Sequence, residues 1–263
     1  MTRDLITIHL ERAFEQSGCP ICRLKVETEQ RYLFSFLWEN VNDPAIRDRL
    51  RLSLGYCHRH AWALVDTELK AWGGGLGTGI LYDDLAQGVA AGLSELLARE
   101  LELSGQRPRG RLRAAATRLG HRVLTLLEGP LGKLGRSDGS LSQLPRELLP
   151  QTECPACAQV RYSEATDLQW LVRECSNPDF REKYRSSDGM CLPHLRTALD
   201  IAGDGATAAF LLQVAQERLT PLRHDLSEYL RKFNYQYRDE PKTAAEQASW
   251  RRMVAFLIGE HDL

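Results

Sequence analysis

Apolar residues recur along this chain at spacings of three and four, the period of a helix buried on one face. Ile6, Leu10, Ala13 and Phe14 form such a stripe and predict a first helix. A second starts near Pro20 and carries Leu33, Phe36, Leu37 and Asn40. Asp43-Pro44 reads as an N-cap followed by proline at the first helical position, and Asn177-Pro178 repeats the signal. Gly55 and Gly189 then stand as C-terminal stops of short helices. A further helix opens at each Cys-x-x-His, with Ala61, Leu64, Val65 and Leu69 on one face of the first. Residues 80–103 and 206–233 read as long helices, the latter with a kink point at Pro221. From Pro241 onward the pattern is one amphipathic helix whose Trp250, Met253, Val254 and Leu257 are expected to pack on the body or else to bind a partner. No alternating strand pattern stands out, so the predicted fold class is all-α.

The pattern repeats. Cys19-Pro20-Ile21-Cys22 returns as Cys154-Pro155-Ala156-Cys157, an offset of 135. Gly55 to His60 returns as Gly189 to His194 at an offset of 134, and Pro44, Arg47, Arg51, Ser53 and Asp66 have identical partners at that same offset. From Pro44 to Asp66, eight of 23 positions are identical, too many for unrelated segments. Two related helical halves follow. Residues 1–103 are read as the first metal-binding repeat, 104–145 as a basic connector, and 146–263 as the second repeat with the C-terminal helix.

Composition adds limits. Thirty-four Lys and Arg against 35 Asp and Glu give no global bias toward nucleic acid or an anionic surface. Arg3, Asp4, Glu11 and Arg12 interrupt the start where an export signal would need an apolar run. No apolar stretch is long enough for a membrane span. A cytoplasmic protein without a membrane partner is the expectation.

Seven cysteines, an odd number, argue against a disulfide framework and point to metal or redox chemistry. Each repeat carries Cys-x-x-Cys and, about 34 residues on, Cys-x-x-His. That is four ligands in two close pairs, the supply a tetrahedral ion needs. The candidate ligands are Cys19, Cys22, Cys57, His60, Cys154, Cys157, Cys191 and His194. Both pairs open helices, where the macrodipole favours a thiolate. The expectation is two structural zinc ions per chain, each held by three Cys and one His. An iron–sulfur cluster is the alternative cofactor, and thiol–disulfide chemistry a third course. Two pairings are open: each repeat builds its own site, or the first pair of one repeat joins the second pair of the other. The shorter loops favour local sites.

Other residues carry weaker signals. Arg47 and Arg51, with their counterparts Arg181 and Arg185, are expected to donate toward metal-bound thiolates or to form salt bridges. His58 and Cys175 have no counterparts and read as a surface residue and a core thiol. The glycines from Gly73 to Gly79 fit no phosphate-loop register and read as a flexible connection. The segment from Arg107 through Arg113, Arg118 and Arg122 is basic enough for a nucleic-acid contact, although it lacks stacking aromatics. No catalytic triad, zinc-protease motif or spaced carboxylate pair stands out, so the reading leans away from an enzyme and toward a binding or adaptor module with a protein partner.

The tandem Cys-Pro-x-Cys and Ser-x-Gly-x-Cys-x-x-His motifs, the latter at Ser53–His60 and Ser187–His194, resemble those of a family of uncharacterised bacterial proteins. The likeness spans most of the chain, including the Asp/Asn-Pro helix starts and the Trp-containing last helix. It implies a bacterial cytoplasmic protein with paired metal-ligand motifs and no assigned reaction.

Overall fold

The computed structural model describes residues 4–103 and 148–260. Among them the chain is all-α, as the periodicity predicts. The helices are α1 (Leu5–Phe14), α2 (Pro20–Ser35) running into a π-helical turn (Phe36–Asn40), α3 (Pro44–Leu52), α4 (His58–Trp72) and α5 (Leu76–Leu103). After the connector come α6 (Pro155–Glu174), α7 (Pro178–Ser186), α8 (Leu192–Ile201), α9 (Gly205–Arg231) and α10 (Ala244–Ile258). The repeat is visible in this order: α2, α3 and α4 match α6, α7 and α8, each beginning at the corresponding motif, and a long helix, α5 or α9, follows. The basic connector lies outside the described residues.

The caps follow the sequence signals. Asp43 accepts from the Ile46 N–H at the start of α3, and Asn177 accepts from the Asp179 N–H at the start of α7. Gly55 and Gly189 follow the ends of α3 and α7 at φ of 83° and 73°, a region that side chains rarely enter. Pro221 sits inside a continuous α9.

Two readings need correction. The glycine run is only partly a connection. Gly73 ends α4 in the left-handed region at φ 68°, but α5 already begins at Leu76 and takes in Gly77 and Gly79. A Cβ on Gly77 would lie 3.0 Å from Leu37 and 3.2 Å from Val41, so glycine there permits close packing. Buried Glu68 accepts from the Gly77 and Thr78 N–H groups at 2.6 and 2.8 Å, satisfying free donors at the start of α5.

The second correction concerns α10. Its expected apolar stripe stays largely exposed at Trp250, Val254 and Leu257, while Glu246 and Ser249 are buried. A polar anchor joins the start of this helix to the end of α9. Lys232 Nζ lies 2.8 Å from both Glu246 oxygens, and Glu246 also completes a capping box with Thr243.

The described chain forms two compact units. Among the described residues, one joins 4–36 to 156–260, and the other takes in 37–103 and 148–155. The first is centred on Leu10, Phe14, Ile21, Leu171, Phe180 and Tyr184. Phe14 packs edge-on to Phe180 and Tyr184, with centroids 5.2 and 5.5 Å away, holding the α1–α2 hairpin on α7. In the second unit Leu50, Leu64, Leu81 and Leu85 are buried.

Candidate metal centres

The α1–α2 hairpin brings the first Cys-x-x-Cys to the second Cys-x-x-His. Cys19 caps α2 and Cys22 lies in its first turn; Cys191 caps α8 and His194 lies in its first turn. Two helix N-termini therefore face one point, and their dipoles favour anionic sulfur there. His194 Nδ1 is 3.1 Å from Cys191 Sγ, 3.4 Å from Cys19 Sγ and 3.5 Å from Cys22 Sγ, and all four residues are buried.

The second group is Cys57, His60, Cys154 and Cys157. Cys57 caps α4 and His60 is in its first turn. Cys154 directly precedes α6, and Cys157 lies in that helix's first turn. His60 Nδ1 is 3.2 Å from Cys57 Sγ and 3.5 Å from Cys154 Sγ. In each group the ligand atoms lie within 4.8 Å of one another.

All eight predicted ligands are thus gathered into two Cys3His clusters able to chelate a metal ion. The expected local pairing is wrong: each cluster joins one repeat's Cys-x-x-Cys to the other repeat's Cys-x-x-His. The loop argument was too weak to decide this. Lengthening the Cys22 closure from 35 residues, to Cys57, to 169, to Cys191, costs only about 1.4 kcal/mol of chain entropy. The packing of Phe14 against Phe180 and Tyr184 outweighs that.

The electrostatics of the first cluster suit a cation. Burial pushes the Cys19 thiol up, while hydrogen bonding with Cys19 and Cys191 holds Cys22 far below the ordinary thiol range. Burial opposes a charged His194, but contacts with Cys191, Cys22 and Glu164 outweigh it and push the imidazole up to about 11. The sulfurs beside His194 thus favour positive charge on the ring.

Sequence reading missed three supporting groups. Glu164 Oε1 lies 2.9 Å from His194 Nε2, and Lys25 Nζ lies 3.0 Å from Glu164 Oε2. The bond to His194 holds the Glu164 carboxyl below its usual range. This carboxylate fixes the ring so that Nδ1 faces the sulfurs. Past the end of α10, the Glu260 N–H donates to Cys22 Sγ at 3.5 Å, and Gly259 reaches this position at φ 97°. Glu164 did have a signal: Glu29 matches it at the same offset of 135 as the cysteine pairs, and both stand ten residues after the first cysteine. Glu260 had none.

The matched arginines do not turn to the sulfurs. Arg51 grips Asp84 on α5 through two bonds of 2.8 and 2.9 Å, and Arg47 lies 3.4 Å from the same carboxylate. Arg181 donates to the Ala206 carbonyl and lies over the Phe210 ring; Arg185 lies 3.8 Å from Glu217. They tie α3 to α5 in the first repeat and α7 to α9 in the second. The salt-bridge reading therefore holds for Arg47, Arg51 and Arg185, and donation to thiolates does not occur. Cys175 is a fully buried core thiol, as expected, and His58 is exposed.

The fold and clusters define an all-α protein of two related halves with paired Cys3His centres. The chain belongs to the family of unknown function DUF6062, whose sequence profile matches residues 1–125 and 134–262. It is also similar to an uncharacterised 23.9 kDa protein from the xynA 3′ region of Caldicellulosiruptor sp. (strain Rt8B.4). The two are 22% identical over 247 residues, covering 94% of this chain and 97% of the relative. No solved structure matches. Among the described residues no helix is long and apolar enough to cross a membrane.

Proposed function

We propose that this chain is a zinc-braced binding module in which two Cys3His zinc ions act as structural staples. One observation carries the reading: each cluster offers three thiols and one imidazole within 4.8 Å, a full tetrahedral set. Four protein donors leave no coordination position for water or substrate, so the ion's contribution is to folding rather than to a reaction. Sulfur-rich donors with one nitrogen suit zinc, and they disfavour the hard cations that require oxygen. Because each ion joins motifs from both repeats, it fixes the pairing of the halves. A protein partner at the surface of this scaffold is the accompanying proposal. The basic segment Arg107–Arg122, expected as a nucleic-acid contact, lies outside the described residues.

The test is elemental analysis and a visible spectrum of protein purified without oxygen or an affinity metal, followed by cobalt substitution. Two zinc per chain, no colour, and a tetrahedral cobalt spectrum unmoved by added azide are expected. Several iron per chain with broad visible absorbance would replace zinc with an iron–sulfur reading. An azide-shifted cobalt spectrum would reveal an open position and sink the structural role.

A further inference from the structure

Beside the first cluster, α9 and α10 border a cavity of about 310 Å³. Arg218 and Leu222 reach it from α9, one turn apart; Arg251, Arg252, Ala255 and Phe256 reach it from α10, again one turn apart. Arg251 and Arg252 stand exposed at its mouth, and Ala255 and Phe256 are half-buried.

The charges in this wall are unevenly partnered. Two carboxylates line it, Asp188 and Glu260, and both already hold backbone donors: Asp188 accepts from the Gly18 N–H at 2.8 Å and Glu260 from the Cys19 N–H at 3.4 Å. None of the three arginines is paired with a carboxylate among the described residues. Arg218 donates to the Arg185 carbonyl, Arg251 lies over the Trp250 ring, and Arg252 makes no such contact. Guanidinium groups present forked donors suited to carboxylate and phosphate oxygens. Met190, Leu222 and Phe256 give the wall an apolar part, beside Ser17 and the cluster thiols of Cys19 and Cys191. The volume falls at the lower end of small-ligand pockets.

We infer that this cavity binds a small organic anion, its carboxylate head on Arg251 and Arg252 and its apolar body against Leu222 and Phe256. Cys19 and Cys191 of the first cluster also line the cavity, so metal content is measured separately in its test. Three probes suffice on the full-length protein as purified: octanoate, octanol and inorganic phosphate, each titrated by calorimetry. Octanoate is expected to bind with one site per chain, and octanol and phosphate much more weakly. Arg251→Gln with Arg252→Gln is expected to weaken octanoate on the order of tenfold, the scale of a lost charge-assisted hydrogen bond, while metal content and melting temperature stay unchanged. Arg223→Gln, away from the cavity, is the control and should bind as the parent does. Absence of octanoate binding, equal affinity for octanol or phosphate, or an unaffected double variant would overturn the assignment.

Discussion

Glu164 Oε1 lies 2.9 Å from His194 Nε2, on the far side of the imidazole from the three sulfurs that surround Nδ1. A ring held in this way can present only Nδ1 to an ion, and the carboxylate raises its basicity. Glu164→Ala is expected to lower metal affinity at the first cluster on the order of 10- to 100-fold. The second cluster should keep its ion. Chelator competition resolved into two steps measures this; two unchanged steps would remove Glu164 from the site.

Cross-repeat pairing has a counting test. Cys19→Ser with His194→Gln damages one cluster, whereas Cys19→Ser with His60→Gln damages both. The first double variant should retain one metal per chain and the second none. Local pairing predicts the reverse, so elemental analysis of the two proteins discriminates directly.

Much of this arrangement is legible in the sequence, and its limits have physical causes. The helices follow from periodicity, and their ends from Asp43, Asn177, Gly55 and Gly189, because caps are local chemistry. The eight ligands follow from repeated spacing. Their pairing does not, because loop entropy changes slowly with length and the deciding contact joins residues as distant as Phe14 and Phe180. The inward side of α10 is equally hidden. Apolar periodicity marks Trp250 and Val254, which stay exposed, while the helix is anchored through the buried Lys232–Glu246 pair, whose members are 14 residues apart.

Cys175 separates core thiols from ligands. It is fully buried, lies in neither cluster, and burial pushes its thiol up to about 12. Cys175→Ser should keep both metal equivalents yet lose about 1 to 2 kcal/mol of stability, since a hydroxyl is costlier to bury than a thiol. Cys175→Ala should also keep both ions. Elemental analysis with urea melts reads both quantities, and loss of an ion in either variant would contradict the ligand assignment.

Asp167, on α6, supplies a pH-dependent term separate from the sulfur chemistry. Burial raises its carboxyl to about 6, outweighing the Ser163 bond and the charges of His9 and Arg31. The folded chain therefore holds this proton more tightly than the unfolded chain does, where the group titrates near 4. Stability from this group is present below about pH 4, declines as pH rises to about 6, and is fully lost above that. Asp167→Asn cannot ionise and still offers an oxygen to Ser163. It should be more stable than the parent by about 2 kcal/mol at pH 7.5, with a smaller advantage at pH 5.5. Urea melts of the metal-loaded proteins at both values provide the check. A variant less stable than the parent at pH 7.5 would mean that the ionised carboxylate is favourably held.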